Sequence, residues 1–311
     1  MVAAVAASDG SLAGRLDPSR ARGSVARRRP FPYDSRRMTI LEIVRHVGPP
    51  LLALGAALAV DRMAVARRLD PPGFRDPARR IAALLLVAFV LWLGVFAALG
   101  ASPGAAAPDL KDVSMVRLFL LHAVLVATLV FWYLLGFLGF SAPGGGMSFA
   151  AQFGLRTPRP GREAGLGLAV GLSTWSALIL CLLLIALVVA AIAGEDSLPQ
   201  KPPAAILWIA GLPFGIRLAL AMTAGAVEEA FFRGFLQPRI GILLSTLFFA
   251  MAHLSYGQPF LLVGVTLLSL LYGVLTRMRQ TIVPAMVAHA VFDAIQLLIV
   301  VPGVLKLFGG G

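Results

Sequence analysis

Cysteine appears once in the 311 residues, as Cys181 in the middle of an apolar run. It can form no internal disulfide, reads as a small core residue and says nothing about redox compartment. Charge is scarce too: 14% of the residues are charged, where a soluble domain carries roughly 25%. With 59% hydrophobic residues and a mean hydropathy of +0.86, that scarcity excludes an ordinary soluble domain. Acidic residues are the scarcer sign, fifteen Asp and Glu against twenty-seven Lys and Arg, for a net charge of +12. This excess is not a nucleic-acid signal. The arginines sit between apolar runs, where they orient a chain against a membrane and its anionic lipids, and no soluble domain is left to carry a nucleic-acid surface.

What the chain does have is apolar runs of about 20 residues, the length a transmembrane helix needs. The reading is an all-α, polytopic helical membrane bundle. Seven spans are expected: 81–101, 115–140, 165–194, a segment starting near Ile216, a short one over 240–254, then 259–275 and 281–301. Residues 1–38 read as a disordered basic tail without a signal-peptide layout, and 39–311 as one membrane domain. Loops at 61–80, 141–163, 237–239 and 276–280 are basic and alternate with non-basic ones, so they are expected in the cytoplasm. A cytoplasmic membrane of a bacterium is the expected setting, given the arginine- and alanine-rich composition.

The segment 39–60 fits this pattern poorly. Glu42, Arg45 and His46 precede Pro49 and Pro50, leaving about ten apolar residues in a row against the ~20 a span needs. An interfacial segment, a re-entrant one and an eighth helix all fit; the eighth helix is favoured. If it crosses, the basic tail lies outside, against the positive-inside rule, unless translation starts at Met38.

The stretch everything else frames is AMTAGAVEEAFFRGFLQPR, residues 221–239. Only Glu228, Glu229 and Asp293 among the acidic residues fall inside apolar spans. An ionised group at the bilayer centre costs roughly 2.5–3.5 kcal/mol on insertion scales, so such residues face a bundle interior and work there. Glu229 and Arg233 are four apart and share a helix face, whereas Glu228 sits about 100° around from Glu229. Phe249 and His253 are four apart on the next helix, and His289 and Asp293 on the last. A rise of about 1.5 Å per residue puts Glu228 about 14 Å, His253 about 20 Å and His289 about 12 Å from the cytoplasmic helix ends. Phe249 reads as a packing residue that shapes the site, and His122 as a hydrogen-bonding strut. Arg233 could serve only as the partner in a structural ion pair.

The ordered set EEAFFR (228–233), FAMAH (249–253) and HAVFD (289–293) resembles the EExxxR, FxxxH and HxxxN/D motifs of the CPBP family. That family comprises type II CAAX prenyl proteases and bacteriocin-processing or immunity proteins. The likeness covers residues 216–301, and the upstream spans match only in general character. Asp293 stands where the prenyl proteases proper have Asn, which weakens the expectation of prenylated substrates specifically.

The resemblance implies an intramembrane endopeptidase acting on a membrane-tethered, prenylated or otherwise lipidated protein or peptide. Peptide hydrolysis needs an activated water and a partner for the oxyanion. Glu228, desolvated beside a second carboxylate, suits a general base. His253 would hold the same water, or would join Glu228 and His289 as ligands of one divalent metal, zinc by type, if a metal is present. His289 and Asp293 would serve the oxyanion, with Glu229 and Arg233 orienting Glu228. There is no HExxH to argue a zincin. The alternative is a non-catalytic immunity or partner-binding protein on the same scaffold. Proton-coupled transport is disfavoured by the lack of interrupted helices in two matching halves.

Overall fold

The computed structural model describes residues 40–100, 115–140, 148–198, 208–254 and 259–303. The tail expected over 1–38 lies outside them. Among the described residues the fold is all-helical, and seven helices are long and apolar enough to cross a membrane. They are not quite the seven expected, for two reasons that can be read from the chain.

The first is α1, Ile40–Ala66, which is a continuous 27-residue helix despite Pro49 and Pro50 inside it. It buries a stripe of small residues, Ala53, Ala57, Val60 and Ala64, at helical spacing. Against them packs α2, Pro77–Leu91, through Ala83, Val87 and Val90, capped at its start by the Asp76 side chain, which accepts from the Ala78 amide. α2 runs on through a π-helical turn, Trp92–Phe96, and a 3-10 turn, Ala97–Gly100. Gly100 lies against the Arg45 carbonyl near the start of α1. At the other end, the Arg67 guanidinium donates to the Pro238 carbonyl at 3.0 Å. α1 therefore runs the whole height of the bundle. The ten-residue apolar count underestimated it because the charged residues cluster at its two ends, where long side chains reach the interface.

The second is the continuous run Phe214–Ala252. It begins as α6, Phe214–Thr223, passes through two π-helical stretches, Ala224–Glu228 and Ala230–Leu236, and continues as α7, Gln237–Ala252. Gly241 breaks it with φ 85° and ψ 171°, values that an L side chain resists. There the chain doubles back. Residues 17 apart in a straight helix would be about 25 Å apart, yet the Phe232 and Phe249 rings meet at 4.9 Å. The Ser245 hydroxyl closes the hairpin by donating to the Phe232 carbonyl at 2.8 Å. The short return segment expected over 240–254 is this second arm.

The remaining helices are α3, Met115–Phe137; a short α4, Phe149–Gln152; α5, Pro160–Ala193; α8, Pro259–Arg279; and α9, Val283–Ile295 with a π-helical continuation, Gln296–Val300. The described parts of the four loops read as basic meet at one end of the bundle. Arg67 reaches Pro238, Arg279 pairs with Glu163, and Thr281 bonds the Gly154 carbonyl. Arg239, expected as a loop charge, is instead buried there between the Trp132 and Phe235 rings, with its guanidinium carbon 4.4 and 4.3 Å from their centroids.

Small residues set the position of α9. A Cβ on Gly167 or Gly171 of α5 would fall 2.6 Å from the Pro284 carbonyl or 2.8 Å from that of Ala288. On the other side, a Cβ on Gly225 would fall 2.6 Å from the Ala290 nitrogen. Helices in lipid associate through this kind of close backbone approach. It brings the backbone beside His289 against the segment that carries Glu228.

Candidate active site

Glu228 ends the first π-helical stretch and Glu229 stands between the two. π turns occur in helices mostly as local insertions, frequently at functional sites, because the wider turn re-aims the side chains around it. Here the two adjacent carboxylates, both buried, point to different partners.

Glu229 is fully buried and held from two helices. Arg233 Nε lies 3.1 Å from its Oε2, and His289 Nδ1–H donates to its Oε1 at 2.9 Å. Arg233 is anchored in turn. One of its amino groups donates to the Ser269 carbonyl on α8 at 3.2 Å, and its guanidinium carbon sits 4.5 Å from the centre of the Phe249 ring. Phe249 packs where it shapes the site: its ring lies against Arg233, His253 and His289.

His253 caps α7, and its Nδ1–H donates to the Phe249 carbonyl at 2.7 Å. A carbonyl can only accept, so this bond puts a proton on Nδ1, and in the neutral ring Nε2 is then the acceptor nitrogen. His289 Nε2 faces Asp293 Oδ2 at 3.5 Å. Asp293 is the most open of the group, its side chain 28% exposed. Arg233, Gln237 and Tyr272 are buried.

The six residues singled out from the sequence, Glu228, Glu229, Arg233, His253, His289 and Asp293, therefore come together in one buried site. A seventh joins them. His122 of α3 turns Nε2 to Glu228 Oε1 at 3.6 Å. Reading it as a strut missed this, although it is a lone ionisable residue mid-way along an apolar helix, the signal that marks intramembrane function.

Of the residues raised as metal ligands, His253 donates Nδ1–H to a carbonyl and His289 donates Nδ1–H to Glu229, the outer bonds that metal-ligating histidines keep, while His289 Nε2 lies 3.5 Å from Asp293. Among the described residues, no group of three His, Cys, Asp or Glu side chains is set to hold a metal. No step below is routed through one.

A helical membrane bundle with a buried site of carboxylates and histidines is thus the class that fold and geometry define. Comparison with known proteins agrees. Residues 175–295 match the family described as type II CAAX prenyl endopeptidase Rce1-like, and the match takes in all three motifs. That region of the chain is similar to the Rce1-like family, consistent with the CPBP resemblance. Among curated proteins, the uncharacterized protein YpbD of Bacillus subtilis (strain 168) is 35% identical over 77 residues, which is 24% of this chain and 41% of that one. The match therefore spans well under half of that relative's length. No solved structure matches.

Proposed function

We propose that this protein is an intramembrane endopeptidase that hydrolyses a peptide bond in a membrane-tethered, lipidated protein or peptide, and that Glu228 is its general base. The observation that carries the reading is the convergence of the three motifs on one site, with Glu228, Glu229, Arg233, His253 and His289 buried and Asp293 at its open edge. Their match to a protease family supports it.

In this mechanism a water lies between Glu228 and His253 Nε2. Glu228 takes one proton while the water oxygen attacks the peptide carbonyl carbon. The carbonyl π electrons move to its oxygen, and a doubly protonated His289, its Nδ1–H held by Glu229 and its Nε2 3.5 Å from Asp293, offers Nε2–H to that oxyanion. The tetrahedral intermediate then collapses: the C–N bond breaks and the proton held by Glu228 passes to the leaving amine. Arg233 holds Glu229 and so fixes His289. Substrate enters from the basic end or sideways from the leaflet beside it, since helical rise puts Glu228 and His289 nearer that end. That end faces the cytoplasm of a bacterial cell by the positive-inside rule.

The test uses purified full-length protein in liposomes with quenched-fluorescence peptides anchored by a farnesyl chain, a palmitoyl chain or an apolar helix. Wild type should cleave at least one, and Glu228→Gln should lower kcat by about 10³-fold or more at unchanged melting temperature. Exhaustive chelation, checked by elemental analysis, should leave the wild-type rate intact. Cleavage by Glu228→Gln at the wild-type rate would remove the base assignment. Activity lost to chelator and restored by zinc would remove the metal-free step.

A further inference from the structure

The three motifs leave one ionisable group at the site without a role. His122 is buried on α3, and the π-helical stretch carrying Glu228 packs against that helix. A structural histidine in a membrane recovers its burial by bonding backbone carbonyls or hydroxyls on both sides of the ring. His122 does not: among the described residues its Nδ1 has no hydrogen-bond partner, and the polar atom facing its Nε2 is Glu228 Oε1 at 3.6 Å. The Phe119 ring, centred 6.4 Å away, is its aromatic neighbour one turn back. The separation is about half an ångström beyond a hydrogen bond, and catalytic hydrogen bonds are often long until substrate is bound. Glu228 is asymmetric in turn, since its Oε2 is buried with no hydrogen-bond partner among the described residues.

We propose that His122 is a positioning residue for Glu228: its Nε2–H confines Oε1, leaving Oε2 as the oxygen that takes the proton from water. This rests on the reading of Glu228 as the base. A carboxylate can swing about its last bond, and a base that swings samples the productive geometry only part of the time. A donor on one oxygen removes that freedom without blocking the other. α3 lies outside the matched region, so the site would draw on a helix that the motifs do not contain.

The experiment compares His122→Ala and His122→Gln with wild type, full-length in liposomes, using the peptide that wild type cleaves fastest. The glutamine keeps an N–H donor near the same place. His122→Ala should lower kcat by about 10²-fold with KM changed less than about twofold, and His122→Gln should recover at least about tenfold of that loss. Infrared difference spectra supply a readout that does not need turnover. The carboxyl band that disappears in Glu228→Gln should shift in His122→Ala and return toward its wild-type position in His122→Gln. Wild-type kcat in His122→Ala would overturn the proposal. So would equal losses in both variants with a lowered melting temperature and an unmoved band, which is the pattern of a strut. If wild type cleaves none of the peptides, the protease reading has failed and the band alone decides the pairing: a shift in His122→Ala sustains it, an unmoved band sinks it.

Discussion

His289 bonds Glu229, not Glu228: its Nδ1–H donates to Glu229 Oε1 across 2.9 Å, from a helix sixty residues further along the chain. That one contact separates the roles of two adjacent carboxylates. Glu229 has Arg233 Nε 3.1 Å from Oε2 and His289 on Oε1, so both of its oxygens face a cationic or donor group. Glu228 faces His122 with Oε1, and its Oε2 has no hydrogen-bond partner among the described residues.

The Glu229–Arg233 pair should carry stability. Both side chains are essentially inaccessible, at 0% and 2% exposure. Removing the cation from such a pair leaves a buried charge uncompensated and costs about 3–5 kcal/mol. Arg233→Met should therefore lower the melting temperature in detergent strongly. Adding Glu229→Gln in the same chain should recover part of the loss, because the stranded charge goes with it. An Arg233→Met protein that melts with wild type would show that the pair does not hold the bundle.

Gly225 should matter for geometry. It lies three residues before Glu228, and a methyl there would fall 2.6 Å from the Ala290 nitrogen and 2.7 Å from the Met286 carbonyl oxygen. These are backbone atoms and cannot rotate away, so α9 must move and take His289 with it. A shift of about 1 Å at a reacting group can cost 10²-fold. Gly225→Ala should lose activity on that scale, while Gly165→Ala, which meets nothing within 4 Å, should not. Equal activity in the two variants would mean that the close approach of α9 is not what sets the site.

Much of the site was legible because helical spacing is a local property: i and i+4 share a face whatever the rest of the chain does. Glu229–Arg233 and His289–Asp293 follow from that alone. Spacing cannot say which face of a distant helix lies opposite, so neither the approach of His122 to Glu228 nor the bond of His289 to Glu229 follows from it. The bundle was legible from apolar length, but two boundaries were not. α1 was undercounted because apolar run length ignores charges that can snorkel at helix ends. The Gly241 hairpin depends on one positive φ, which glycine permits at many positions where it is not used.

Sidedness is the last prediction. The loops carrying Arg67, Arg79, Glu163 and Arg279 gather at one end of the bundle, tied together by bonds from Arg67 to Pro238, Arg79 to Leu138 and Arg279 to Glu163. The structure places them together; which side of the membrane they face follows from the arginine excess alone. α1 runs from the opposite end, beside Gly100, to this one, so its start should lie across the membrane from its finish. Single-cysteine labelling in a Cys181→Ser background reads both points at exposed positions. Gln280→Cys, in the turn between α8 and α9, should react with an impermeant maleimide only after the inner face is opened. Ser197→Cys, just past the far end of α5, and Glu42→Cys, in the first turn of α1, should react in intact cells. Labelling of Gln280→Cys in intact cells would invert the orientation and move the proposed entry route to the outer leaflet. Labelling of Glu42→Cys from the same side as Gln280→Cys would mean that α1, though long enough to cross, does not.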